Sequence, residues 1–313
     1  MGMAEIDVRD AFFDALYAMA DREGDVVVIT DDMDAFGLRR FKKDFPERFV
    51  NIGVAEQNMI NVAAGLALCG KKVFTYGIAS FVTMRCFEQI KVNLCSLRLP
   101  VAIIGVGAGF SFGFDGPTHH GTQDVAVMRA LPEMTIYNPT DAALAAACPR
   151  LAMAAGGPTY IRLDKGTFPA LYDPDDSFAQ GFAVVRPLRD VNLVATGFMT
   201  HRAVEVADGL AARGIDVGVV DLYRVKPIAE TFVSSVVDGS REIVTLEEHS
   251  VAGGLGTAVG ELILDRGRPV RLTREAFPDR QFLEYGSREW FLGANGLGVD
   301  RLVARCAEAA RRP

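Results

Sequence analysis

Residues 48–76, RFVNIGVAEQNMINVAAGLALCGKKVFTY, decide the fold class. Arg48 to Ile52 reads as a strand, Gly53 as a turn, Ala55 to Leu68 as a helix with apolar residues three and four apart, and Lys72 to Tyr76 as a second strand. A helix between two strands is a crossover, so the two strands run parallel. The same alternation extends both ways. Asp7 to Arg22 predicts a helix with Gly24 at its C-cap, and Asp25 to Thr30 a strand. Ser80 to Leu97 predicts a helix, Pro100 to Val106 a strand, Gln123 to Leu131 a helix and Met134 to Tyr137 a strand. Asp141 to Ala154 predicts a helix that Pro149 ends early or kinks, and Thr159 to Leu163 a strand. Strands that are apolar throughout belong to a parallel sheet covered on both faces.

Residues 169–190 contain three prolines, several aspartates and little periodicity, and read as a linker or surface excursion. A second α/β series follows. It has strands at Val191 to Ala195, Asp216 to Val220, Glu242 to Leu246 and Val270 to Thr273. Its helices are at Thr200 to Arg213, Ile228 to Val237, Ala252 to Arg266 and Val299 to Arg311. The expected organisation is two three-layer α/β/α domains, 1–172 and 191–313, joined by 173–190.

The 313 residues are 50% hydrophobic and 23% charged with a net charge of -7, which suits two folded domains rather than a disordered chain. An acidic chain lacks the basic surface that nucleic acid or an anionic membrane requires. Cys69, Cys86, Cys95, Cys148 and Cys306 form no CxxC pair and are odd in number, as expected of buried, reduced thiols in a cytoplasm. The N-terminus has no signal-peptide pattern, and the longest apolar run, Leu99 to Phe110, is too short to span a bilayer.

Two segments near expected strand ends could carry chemistry. Glu56 falls in the first turn of its helix among apolar neighbours. It complements the helix dipole there, or it is a partly buried carboxylate aimed at a ligand and able to share a proton. Gly105 to Gly121, GVGAGFSFGFDGPTHHG, has six glycines and ends with Asp115, His119 and His120. It is a ligand-approaching loop with proton-trading groups, or a turn closed by its Asp and Thr. A P-loop lysine and a GxGxxG helix start are both absent, and the adjacent histidines with one carboxylate are a weak metal signature. Phe81 and Phe87, six apart on one predicted helix with Met84 between them, can face its core.

Taken in order, VNIGVAEQNMINVAAGLALCGKKVFTY, SFVTMRCFEQI, LPVAIIGVGAGFSFGFDGPTHHGTQD, ALPEMTIYNPTDA and GPTYIRLDKG resemble the C-terminal half of the transketolase family. PDRQFLEYGSREWFLGANGLG is similar to the tail of the related 1-deoxyxylulose-5-phosphate synthases. The resemblance implies a pyrimidine-binding domain followed by a C-terminal domain, and thiamine diphosphate as cofactor. It implies that Glu56 hydrogen-bonds a pyrimidine ring nitrogen and so drives the tautomer that activates the thiazolium. Phe81, Met84 and Phe87 then enclose the aminopyrimidine. Asp115 and His119 meet the sugar's hydroxyls and carbonyl oxygen, with His120 assisting or packing. Arg162 or Lys165 contacts a substrate phosphate, unless both are plain surface charges. His249 has a structural or interface role.

Two departures shape the expectation. The family's diphosphate and Mg²⁺ site carries a GDG motif, which this chain lacks. The resemblance therefore implies an N-terminal partner subunit that holds that end, in an α2β2 heterotetramer. Gly107-Ala108-Gly109 replaces a basic residue, removing one sugar-phosphate contact, so phosphorylated and unphosphorylated sugars both stay open. The expected activity is transfer of a two-carbon ketol unit. The alternatives are a 2-oxoacid dehydrogenase β-subunit, a synthase-like pyruvate condensation and a non-catalytic regulatory subunit.

Overall fold

Six parallel strands form the sheet of the first compact unit: β1 (Val26–Thr30), β2 (Phe49–Asn51), β3 (Lys72–Ile78), β4 (Val101–Val106), β5 (Thr135–Tyr137) and β6 (Thr159–Leu163). Their order is β5-β6-β4-β3-β1-β2, with Thr30 opposite Asn51 on one side and Tyr76 on the other. This computed structural model describes residues 6–312. All of β1, β4 and β6 is buried, which is why these strands carry no polar alternation. The Val8–Arg22 helix packs on the Ala142–Ala154 helix. Asp7 caps the former, accepting from the Arg9 amide at 2.9 Å, while its other oxygen accepts from the Gly166 amide.

The second unit has β7 (Ala183–Arg186), β8 (Val191–Ala195), β9 (Gly218–Asp221), β10 (Arg224–Lys226), β11 (Glu242–Ser250) and β12 (Arg271–Phe277). Its sheet runs β12-β11-β8-β9-β7, parallel except for antiparallel β7. One face packs on the Phe198–Ala211 and Val299–Arg311 helices, around Leu193, Val206, Val244 and Leu302. The other packs on Phe232, Val236 and the Leu255–Arg266 helix. The result is an α/β/α layering with mostly parallel sheets in each unit.

The first compact unit comprises the described residues up to Ala108 together with Val127–Phe178; the second comprises Gly109–Ala126 and the described residues from Ala179. The continuous span 1–172 expected from the sequence is interrupted in this division by the glycine-rich segment. Among the described residues no helix is long and apolar enough to cross a membrane.

Several local expectations are corrected. The Ser80 to Leu97 helix is not a regular α-helix. Phe81–Arg85 and Ile90–Cys95 are π-helical turns around a short α turn at Phe87–Gln89. Apolar periodicity does not separate windings of 3.6 and about 4.4 residues per turn over so few residues. The Ala142–Ala154 helix runs through Pro149, which is buried, because its alanine-rich face is held by tertiary packing rather than by the missing amide. The expected linker contains β7, a short edge strand with partly exposed residues and therefore no apolar run. The first helix is capped at Glu23, not Gly24. Cys69 is exposed, whereas the other four cysteines are buried.

Candidate functional site

In the first unit the functional groups gather where β1, β2 and β3 end. The Asn51 side chain ties these ends together. Its Oδ1 accepts from the amides of Asp32 (3.1 Å) and Gly53 (2.9 Å), and its amide donates to Asp32 Oδ1. Gly53 turns the chain at φ +73°, and the helix begins at Glu56 with Ala55 as N-cap. Ala55 has no side chain able to cap. Glu56 therefore stands at a positive helix end while only 2% exposed.

Glu56 Oε1 accepts a hydrogen bond from Arg85 Nη1 at 2.5 Å, and Oε2 has no partner among the described residues. The Arg85 guanidinium lies 4.3 Å from the centre of the Phe81 ring. The π-helical winding presents Arg85 and Phe81 together, and Gln57 Nε2 donates to the Arg85 carbonyl from the facing helix. Phe81 and Phe87 are half-buried and Met84 is exposed, so these three side chains are not helix core. Sequence reading named Glu56, Phe81, Met84 and Phe87 and did not name Arg85. No pattern in the sequence singles it out, because only the π turn makes its spacing from Phe81 and Glu56 productive.

Arg162 and Lys165 part company. Arg162 is buried within β6, whereas Lys165 is exposed just beyond it, its amide donating to Asp164 Oδ1.

In the second unit the glycine-rich segment is fastened at both ends by consecutive residues of β11. Glu248 Oε1 accepts from the Phe110 amide at 2.7 Å and from Arg288 Nε at 3.2 Å. His249 Nε2 accepts from the Ala126 amide at 3.3 Å, and its Nδ1 lies 2.8 Å from the Ser250 carbonyl. That pairing assigns the ring proton to Nδ1. Gly109 is required here. At φ +56° it faces Glu248, and a Cβ would come within 2.1 Å of that carboxyl carbon. His249 thus has the structural role expected of it, and Glu248 is a holding residue that sequence reading passed over.

Within the loop, Asp115 is exposed and His119 half-buried, its Nδ1 2.9 Å from Thr118 Oγ1. His120 points the other way. It lies 4.6 Å from the Phe110 ring and 5.3 Å from Phe291, in a cluster where Phe110 and Phe291 stack at 3.9 Å. Burial lowers its pKa, so the ring is neutral at pH 7 and suits packing. Asp115 and His119 are thus accessible, whereas His120 is buried among phenylalanines.

A buried carboxylate with one free oxygen beside a partly open aromatic face fits a flat nitrogen heterocycle: the oxygen offers a hydrogen bond and the ring offers stacking. Among the described residues no group of three histidines, cysteines or carboxylates could hold a metal ion.

Both parts of the chain are similar to known proteins. The model "Transketolase, pyrimidine binding domain" matches residues 4–170 and "Transketolase, C-terminal domain" matches 181–299. One of the subunits of the apulose-4-phosphate transketolase of Actinobacillus succinogenes is 33% identical, over 89% of this chain and 90% of that one. The 6-deoxy-6-sulfo-D-fructose transketolase subunit SqwH of Clostridium sp. (strain MSTE9) is 36% identical, over 97% and 95%. The solved structure of a split-gene transketolase, an inactive β4 tetramer, superposes with a TM-score of 0.86 at 36% identity, covering 98% of this chain and 100% of that one. The chain therefore belongs to the transketolase family, of which it carries the pyrimidine-binding and C-terminal domains.

Proposed function

We propose that this chain is the C-terminal subunit of a two-chain transketolase and moves a two-carbon ketol unit from a ketose to an aldose. The observation that carries this reading is the Glu56 carboxylate, buried, with Arg85 on one oxygen and the other open. When bound, thiamine diphosphate supplies the electron sink that lets a ketose carbon–carbon bond break. This chain's part is to orient and protonate. Glu56 hydrogen-bonds the aminopyrimidine through its open oxygen, in a site dry enough for the bond to matter. Phe81, Met84 and Phe87 wall the ring and exclude water. Arg85 neutralises Glu56 from the solvent side.

Asp115 and His119 are assigned to the sugar's hydroxyls and carbonyl oxygen, and His120 to packing. The two relatives above are named for a phosphorylated and a sulfonated sugar, which supports a donor with an anionic end. Lys165, exposed, is the better placed of the two basic candidates to meet it. The diphosphate and Mg²⁺ are assigned to an N-terminal partner subunit. Relatives named as subunits, and a split-gene structure described as an inactive tetramer of one chain type, support that division. The same reading gives an α2β2 complex working in the cytoplasm.

The test is reconstitution. The full chain mixed with a GDG-bearing partner, Mg²⁺ and thiamine diphosphate should transfer ketol units from phosphorylated or sulfonated ketoses. The chain alone should not. Pyruvate as the only accepted donor would instead indicate an oxoacid dehydrogenase or synthase. No turnover of any donor, with cofactor bound, would indicate a regulatory subunit.

A further inference from the structure

A second buried carboxylate lies beside Glu56, and nothing above uses it. Asp31 directly follows β1, whose last residue, Thr30, is paired with Asn51 of β2 and Tyr76 of β3. It is 5% exposed, and neither carboxylate oxygen has a hydrogen-bond partner among the described residues. The space it occupies is made by Gly77 of β3, where a Cβ would come within 2.1 Å of Asp31 Oδ2. A side chain at 77 would expel the carboxylate from this place.

The titratable groups that act on Asp31 or feel it are Glu56 from the helix after β2, Arg85 and Cys86 from the π-helical turn, Tyr76 from β3 and its neighbour Asp32. Arg85 is the only cation among those acting on Asp31, and it is already bonded to Glu56. Two buried carboxylates therefore share one cation. An unpaired charge at Asp31 is costly in that setting, and the cheaper state has one proton on the pair.

We propose that Asp31 is the proton store of Glu56: it is neutral while Glu56 is charged and bonded to Arg85, and it ionises when Glu56 takes a proton. In that exchange an O–H bond of Asp31 breaks and one of Glu56 forms, so the pair's proton count and net charge are unchanged. Burial first, and the charge of Glu56 second, push Asp31 up to about 7. Burial and the same carboxylates push the neighbouring Cys86 thiol up to about 12. The coupling of the two carboxylates rests on the burial of Asp31, its two unpartnered oxygens and the charge of Glu56 acting on it. Its use in cofactor activation rests on the function proposed above. Asp31 acts through Glu56 and is a positioning residue for its charge.

Infrared difference spectroscopy of the full chain tests the coupling without cofactor or partner. At pH 6 the wild-type chain should show a buried carboxylic-acid C=O band that is missing in Asp31→Asn and half lost near pH 7. In Glu56→Gln the midpoint of that band should move down by about one pH unit or more. Absence of an Asp31 acid band at pH 6, or a midpoint unmoved by Glu56→Gln, overturns the proposal. Should Asp31→Asn fail to fold, Asp31→Ala assigns the band and Glu56→Gln still reads the coupling. In the two-subunit complex, calorimetry in buffers of different ionisation heat counts the protons exchanged on thiamine diphosphate binding at pH 7. The count should differ between wild type and Asp31→Asn, and equal counts overturn the role in activation. Failure of the complex to bind the cofactor at all overturns the proposed function and leaves the infrared result standing.

Discussion

Glu56 and Glu248 are both buried glutamates, and they are put to opposite uses. Glu248 Oε1 is committed to the Phe110 amide and to Arg288, itself only 12% exposed on its side chain. Glu56 is bonded once, to Arg85, whose side chain is 44% exposed, and it keeps an oxygen open. The first is a fastening with its cation locked in. The second is a charge held ready, with a cation that water can reach. Burial alone therefore does not mark a functional carboxylate. The exposure of its partner does.

The same substitution at both positions should separate them most. Glu248→Gln removes one charge of a buried ion pair with Arg288 and should cost about 3–5 kcal/mol of stability in urea unfolding. Glu56→Gln should cost less than about 1 kcal/mol, because Arg85 turns to solvent. Equal losses would end the distinction.

Asp31 sharpens the contrast through pH. Its folded value of about 7 lies above the ordinary 3.8, so its contribution to stability is fully present below about pH 4 and is lost as pH rises through 7. Over about three units that amounts to about 4 kcal/mol. Unfolding of wild type and Asp31→Asn across pH 4 to 8 should diverge by that order, and parallel curves would show that Asp31 is ionised throughout. In the reconstituted enzyme, Glu56→Gln should lower kcat by about 10²–10³, as for loss of one preorganised electrostatic group. His249→Ala should cost about 1–3 kcal/mol of stability, by leaving the Ala126 amide unpaired. Thermal melting reads that loss.

The strands and most helices were legible because buried parallel strands and their crossovers leave long apolar runs and three-four spacings. The Val26–Thr30, Val191–Ala195 and Val299–Arg311 elements lie within a residue of where the pattern puts them. Glu56 was legible by its place after Gly53. Arg85, Glu248 and Asp31 were not. Their roles depend on partners 29, 138 and 25 or more residues away, or on the room that one glycine leaves. The π-helical turns escaped as well, since a change in winding of less than one residue per turn leaves the same residues apolar.

Composition and periodicity, by themselves, determined two α/β units and the order of their elements, because burial of apolar side chains is a property of each segment and needs no knowledge of its neighbours. Only the tertiary structure decided which charges meet. A carboxylate's state depends on how many cations and amides come within hydrogen-bond reach once strand ends are side by side, and that number is written in no single segment.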